Sequence, residues 1–198
     1  MSKRTFDLVF ATAGLIVLAP VFAAIALWIK LDSPGPVFFR QVRVGQHGKP
    51  FRIHKFRTMY HNAGTPQAAQ LTVGADPRIT RSGRFLRKHK LDELPQLLDV
   101  VQGTMSLVGP RPEVPKYVAH YPEALRELVL SVKPGITDEA SLRFKDENKI
   151  LGDSCAPERT YIEEILPVKL EYYVRYVRER SMARDIRIIL VTLKELYR

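Results

Sequence analysis

Apolar residues recur along this chain in different rhythms, and each rhythm predicts a different element. From Leu8 to Ile29 they form a run of 22 residues without a charge. At 1.5 Å per residue, such a run as a helix covers a hydrocarbon layer of roughly 30 Å. Val37 to Val44 is rich in β-branched and aromatic residues, and Phe51 to Phe56 alternates with period two. Gly45 and Gly48 bracket a turn between them, and Pro34-Gly35-Pro36 punctuates the approach, so a β-hairpin is predicted. The period then turns helical. Leu94, Leu97, Leu98 and Val101 make one face of a predicted helix from Leu91 to Val101, with Gly103 just past its end. A further helix is predicted from Tyr121 to Val132, stopped by Pro134-Gly135. At the C-terminal end Ile186, Ile189, Leu193 and Leu196 form a stripe, with Arg184, Arg187 and Lys194 off it. Such a helix packs on a core or lies on a membrane surface. His61 to Pro77 reads as a polar loop, and "VGPRPEVPKY" as a proline-stiffened extended segment. The pattern as a whole is α+β: an N-terminal apolar helix, a small β-hairpin and several helices, some of them amphipathic.

The apolar run has three readings. A cleaved signal peptide has a shorter apolar core, although Ala24-Ile25-Ala26 offers a small-residue site. A straight membrane-spanning anchor fits the length. Against it, Lys3 and Arg4 precede the run while Lys30, Arg40 and Arg43 follow it. Positive residues favour the cytoplasmic side, and here both ends are basic. A hairpin that enters and leaves by one face satisfies both ends. Pro20, near the midpoint, supplies a means, because proline removes a backbone donor and clashes with the carbonyl four residues back.

Charge adds a partner class. The 198 residues carry a formal net charge of +10 and one cysteine, Cys155. One thiol excludes an internal disulfide and a cysteine-based zinc site. From Lys30 to Lys90 there are 13 Lys or Arg against two acids, Asp32 and Asp76. That concentration points to an anionic partner: nucleic acid, lipid head groups or a phosphorylated substrate.

No phosphate-binding glycine loop, nucleophile elbow or HExxH motif is present. His47, His54, His61 and His89 lack ligand spacing and read as structural or solvated. The notable stretch is "RSGRFLRKHKLDELPQLLDVVQG", where Asp92 and Glu93 follow Arg81, Arg84, Arg87, Lys88 and Lys90. Pro95 is tolerated only in a first helical turn, which puts the acids near a helix N-terminus. There the dipole and the cations favour ionised carboxylates. An ionised Asp92 can attack an electrophilic phosphorus, and a neighbouring carboxylate can hold a divalent cation; alternatively Asp92 merely caps the helix. Arg111, fixed between prolines in "GPRPE", presents a fork suited to phosphate oxygens.

Together these stretches resemble a known family, the bacterial sugar transferases or monotopic phosphoglycosyl transferases. The resemblance covers nearly the whole chain and rests on "KRTFDLVFA", "SPGPVFFRQVRVG", "KFRTM", "LRKHKLDELPQLLDVVQGTMSLVGPRP" and "VKPGIT", in that order. It implies an enzyme that moves a phosphosugar from a UDP-sugar to polyprenol (undecaprenyl) phosphate with Mg2+, initiating glycoconjugate assembly at the cytoplasmic face of a bacterial inner membrane, in a minimal catalytic form. It implies that Asp92 is the nucleophile and Glu93 its metal-associated partner. Arg111, Lys55, Arg57 and Arg87 are then substrate-binding residues. Pro20 breaks a re-entrant membrane helix spanning residues 1–31, and residues 32–198 form a cytoplasmic catalytic domain resting on anionic lipid. One departure stands out: after "PGIT" the chain reads "DEASLRFKDEN", where the family pattern is neutral, so Asp138 and Glu139 bear on donor preference. A membrane-tethered nucleic-acid-binding module is the rival suggested by the basic stretch, but no recognition helix or stacking motif accompanies it. A non-catalytic scaffold is the other rival, and intact Asp92 and Glu93 speak against it.

Overall fold

The computed structural model describes residues 2–61, 76–144 and 147–196. The loop expected at 61–77 falls mostly outside them. Helix α1 runs Lys3–Asp32. Strands β1, Phe38–Val44, and β2, Pro50–Phe56, pair antiparallel with Phe38 opposite Phe56 and Val44 opposite Pro50. Helix α2, Arg81–Lys88, leads through a 3₁₀ turn, Leu91–Glu93, into α3, Gln96–Gln102. Strand β3, Ser106–Val108, pairs in parallel with β4, Gly135–Thr137, after a crossover through α4, Pro115–Val118, and α5, Glu123–Leu130. Then come α6, Glu139–Arg143, α7, Glu147–Gly152, and α8, Pro157–Thr160, joined by a π-helical turn to α9, Leu166–Glu179, and finally α10, Met182–Leu196. The fold is thus α+β, with a hairpin and a separate parallel strand pair among helices. The parallel pair brings backbones unusually close. A Cβ on Gly135 would lie 2.1 Å from Gly109 N, so no larger residue fits there.

Helix α1 presents one stripe to the rest of the molecule. Ala11, Ile25 and Ile29 are buried, with Gly14, Leu18 and Phe22 half-buried between them, at spacings of three and four residues. The opposite face exposes Val9, Phe10, Ile16, Val17, Leu27 and Leu31. The helix is apolar all round yet buried on one side only, as expected of a helix whose other side meets lipid. Ala11 packs with Ile53, Val100 and Met105, while Ile25 and Ile29 pack with Phe56 and Leu86. Truncating a fully buried leucine such as Leu86 to alanine costs about 2–5 kcal/mol.

Both ends of α1 are also tied down by polar contacts. At its start, Lys3 reaches Asp185 of α10 at 2.6 Å, and Asp7 accepts from Ser106 Oγ at 2.8 Å and Leu107 N at 3.2 Å. At its end, Arg57 donates to the carbonyls of Ser33 and Pro34, just past the helix, and shares Ile29 O with the Ser33 N–H.

Three expectations change. The break at Pro20 is not an end of helix: α1 continues through it. Proline deletes one hydrogen bond, to the carbonyl of Ile16, but the turns on both sides are held against the same domain. The helix expected from Leu91 divides instead. Pro95 has no N–H to reach back to Leu91, and the chain there uses tighter bonds, Leu94 N to Leu91 O at 3.3 Å and Leu97 N to Leu94 O at 3.1 Å. On α10, Ile186 and Leu193 are exposed, and the packed face carries Asp185, Ile188 and Thr192. Hydrogen bonds set that rotation: Tyr176 to Asp185 at 2.8 Å, and Thr137 with Thr192 at 2.6 Å.

Candidate active site

Asp92 and Glu93 sit in the 3₁₀ turn between α2 and α3, and Lys90 sets up that turn. Its φ of 55° lies in the left-handed region, unusual for a residue with a side chain, and it ends α2 just before the turn. The two consecutive carboxylates then meet different surroundings. Glu93 is clasped. Lys55, on β2, places Nζ 2.6 Å from Glu93 Oε1, and Arg111, in the loop after β3, bonds Oε2 at 3.1 Å and Oε1 as well. Asp92 is 9% exposed and takes no hydrogen bond or close ion pair from any described side chain.

The electrostatics separate the pair further. Burial pushes the Asp92 carboxyl above its ordinary pKa, and the negative charge of Glu93 adds to this, against Lys55, Arg87 and Lys90. For Glu93 burial acts in the same sense but is outweighed by Arg111 and Lys55, which hold it well below the usual carboxylate range. Arg111 is in turn raised well above its ordinary value, chiefly by Glu93. The expectation that the helix end and the cations keep both acids low therefore needs correction. The cations concentrate on Glu93, and Asp92 is left largely buried, with its pKa raised and no cation among the described residues in direct contact.

Of the other predicted residues, Arg87 on α2 donates from Nε to Thr58 Oγ1 at 2.9 Å, and its charge acts on Asp92 and Glu93. Arg57 is not brought to the cluster. It is 4% exposed, and its bonds to Ile29, Ser33 and Pro34 assign it to the end of α1. Asp138 caps α6 through Ser141 N at 2.9 Å and the Ser141 hydroxyl, while Glu139 joins Arg175 on α9 and Arg184 on α10. The divergent acids are thus tied into helix caps and helix–helix contacts. His54, read as structural or solvated, is buried and holds Asp99 of α3 through Nδ1 at 2.7 Å and its backbone N–H at 2.9 Å.

Sequence reading missed Arg43 and Glu113. Arg43 bonds Pro112 O at 3.1 Å and lies 3.8 Å from Glu113, whose other oxygen accepts from Tyr161 at 2.6 Å. These contacts brace the segment bearing Arg111. A signal did exist: in the hairpin register, Gln41 opposite Ile53 and Arg43 opposite Phe51, period two puts Arg43 on the strand face that carries Lys55.

Among the described residues no group of three or more His, Cys, Asp or Glu could cage a metal. The adjacent carboxylates suit a different arrangement, in which Mg2+ takes one or two carboxylate oxygens and completes its shell with phosphate oxygens and water. Asp92 offers both of its oxygens, and Glu93 Oε2 carries only the Arg111 bond at 3.1 Å.

The sequence model of the bacterial sugar transferases matches residues 1–198. The chain belongs to that family. Among curated bacterial sugar transferases, it is 40% identical over 193 residues to the UDP-glucose:undecaprenyl-phosphate glucose-1-phosphate transferase of Escherichia coli, a stretch that covers 96% of this chain and 39% of that protein. The Caulobacter vibrioides protein of the same name is 38% identical over 198 residues, covering 99% of this chain and 70% of that one. A UDP-N-acetylgalactosamine-undecaprenyl-phosphate N-acetylgalactosaminephosphotransferase of Aeromonas hydrophila is 35% identical over 194 residues, 97% of this chain and 43% of its own length. The chain therefore spans about two fifths of the length of several relatives that it matches.

Proposed function

We propose that this chain transfers a sugar 1-phosphate from a UDP-sugar to undecaprenyl phosphate in two steps, with Asp92 as the nucleophile. The supporting observation is the division of labour between neighbours: Glu93 clasped by Lys55 and Arg111, Asp92 desolvated and without a hydrogen-bonding partner among the described side chains. In the first step an Asp92 oxygen attacks the phosphorus that bears the sugar. The bond from that phosphorus to the UMP oxygen breaks, UMP leaves with the electron pair, and an aspartyl acyl phosphate linked to sugar remains. In the second step an oxygen of the lipid phosphate attacks the same phosphorus. The aspartyl–phosphorus bond breaks, the carboxylate is restored, and the lipid diphosphosugar departs. No net proton transfer is needed in either displacement.

Arg111, Lys55 and Arg87 supply positive charge where the diphosphate would lie, and a planar guanidinium can grip two phosphate oxygens at once. Asp92 and Glu93 would hold Mg2+, which neutralises charge on the phosphates when bound. Glu93, already held ionised, keeps the two cations from collapsing onto Asp92.

The same reading gives the membrane geometry. A straight 30-residue helix is about 45 Å long, and a spanning helix would carry one end across the bilayer. Here Lys3 and Asp7 at one end, and Ser33 at the other, all bond to the same domain. We infer that α1 is seated in one leaflet, its exposed face, which includes Pro20, in lipid, with both ends and the site on the cytoplasmic side. Anionic head groups suit the basic surface. Incubating the purified chain with Mg2+, undecaprenyl phosphate and, in turn, UDP-glucose and UDP-N-acetylgalactosamine tests the activity. UMP release that requires one donor supports it; no release with a wider donor panel contradicts it.

A further inference from the structure

The turn bearing Asp92 and Glu93 joins α2 to α3, and α1 lies antiparallel along both, holding the start of α2 at its own last turn and the end of α3 at its own first turn. We propose that α1 is a clamp on this turn, with Arg4 and Asp32 as positioning residues at the two ends of the clamp. The proposal rests on reading Asp92 and Glu93 as the reacting pair.

At one end, the Asp32 carboxylate accepts from Ser82 N and from Ser82 Oγ, each at 2.8 Å, which fixes the first turn of α2 to the last turn of α1. At the other, Arg4 donates from Nη2 to Val101 O at 2.9 Å and from Nη1 to Val100 O, which fixes the last turn of α3 to the first turn of α1. Gly103 closes α3 at φ 87°, and a Cβ there would lie 3.4 Å from Arg4 Nη2. Between the staples α1 touches this segment on both sides of the acids. Leu97 lies 3.3 Å from where a Cβ on Gly14 would stand, and Leu91, the residue before Asp92, joins the cluster of Ile25, Ile29 and Leu86.

Helices α2 and α3 have eight and seven residues, too short to be stable alone. The left-handed Lys90 between them is a conformation that persists only where its surroundings enforce it. The partners of Glu93 come from elsewhere, Lys55 from β2 and Arg111 from the loop after β3. If the outer ends of α2 and α3 come free, the acids shift relative to groups that do not shift with them. Catalysis is sensitive to misplacement of about 1 Å. Of the three cations read as donor-binding, Lys55 and Arg111 lie outside the clamp and only Arg87, on α2, lies within it, so the effect falls on kcat more than on KM.

The test uses the full chain in phosphatidylethanolamine–phosphatidylglycerol nanodiscs and follows amide hydrogen exchange. In Asp32→Ala and in Arg4→Met, exchange over residues 90–96 is expected to rise by about tenfold or more while α9 and the β1–β2 hairpin keep wild-type protection. Asp32→Asn, which still accepts from Ser82, is expected to restore protection. With UDP-glucose, or with UDP-N-acetylgalactosamine if that is the donor turned over, the two disruptive variants should lose about tenfold in kcat with KM within about twofold. Wild-type exchange over 90–96 in both variants overturns the clamp, and so does a rise spread evenly over the whole chain. Should Arg4→Met fail to fold, Arg4→Lys, which keeps the charge but only one donor group, must still loosen residues 90–96 selectively, and no change there overturns the proposal. Exchange is read without turnover, so a failure of the transferase reading leaves this result interpretable.

Discussion

Arg111 closes on Glu93 with both ends of its guanidinium, and one of the two oxygens that it binds also receives Lys55 at 2.6 Å. The contact makes Glu93 the counter-charge of two cations at once. Removing it strands both. Glu93→Gln is therefore expected to lose transfer and also to destabilise the fold by about 3–5 kcal/mol, the scale for breaking a buried ion pair. Asp92→Asn is expected to lose transfer with its melting temperature at or above that of the wild type, because the lost charge was disfavoured by burial and by Glu93. UMP release and thermal unfolding, measured on both variants, check the contrast.

Lys90 holds a left-handed backbone with no side-chain capping bond to explain its identity. Lys90→Gly should fold at least as well as the wild type, since glycine enters that region freely. Lys90→Val should cost about 1–3 kcal/mol and impair transfer through the adjacent turn. Chemical denaturation of the two variants reads the difference.

Arg57 lies at the end of α1, and its loss is predicted to act there. Arg57→Leu leaves the carbonyls of Ser33 and Pro34 without the Arg57 donor, while Ile29 O keeps the Ser33 N–H. The expected result is lower stability, about 1–3 kcal/mol for each acceptor left buried and unsatisfied, with KM for the UDP-sugar unchanged in the fraction that folds. Initial-rate kinetics on protein titrated for active sites separates the two effects.

Much of this was legible before any coordinates. Uninterrupted apolar composition marked α1, and period two marked the hairpin, because both patterns depend on local geometry alone. The pairing of Glu93 with Lys55 and Arg111 was reachable only through motif resemblance, since the residues come from three separate elements. Arg57 and Lys55 are two positions apart on one extended stretch, and nothing in their spacing says that one guanidinium turns to the end of α1 while one ammonium turns to Glu93. The rotation of α10 escaped for a similar reason. Asp185 and Thr192 face inward because Tyr176 and Thr137 wait there, and a periodicity of apolar residues weighs such polar contacts at nothing.

Asp138 gives a pH signature. Burial raises its pKa, against the hydrogen bonds from Ser141 and the charge of Arg111. A carboxyl raised on folding binds its proton more tightly in the folded state, so its contribution is most favourable below the unfolded value of 3.8 and is lost as pH rises through the folded value. Asp138→Asn keeps the α6 cap without the charge. It should raise the melting temperature at pH 7 relative to the wild type, with the gain shrinking toward pH 4. A gain that grows on acidification would reverse the assignment.

The most direct measurement is a mass determination on the enzyme exposed to its UDP-sugar and Mg2+ without lipid acceptor, quenched in acid and digested. The peptide that begins at Leu91 is expected to gain the mass of one sugar phosphate, on Asp92, and to lose it when undecaprenyl phosphate is added before the quench. Steady lipid diphosphosugar formation with that peptide unmodified, or with the added mass on any other residue, would contradict the account.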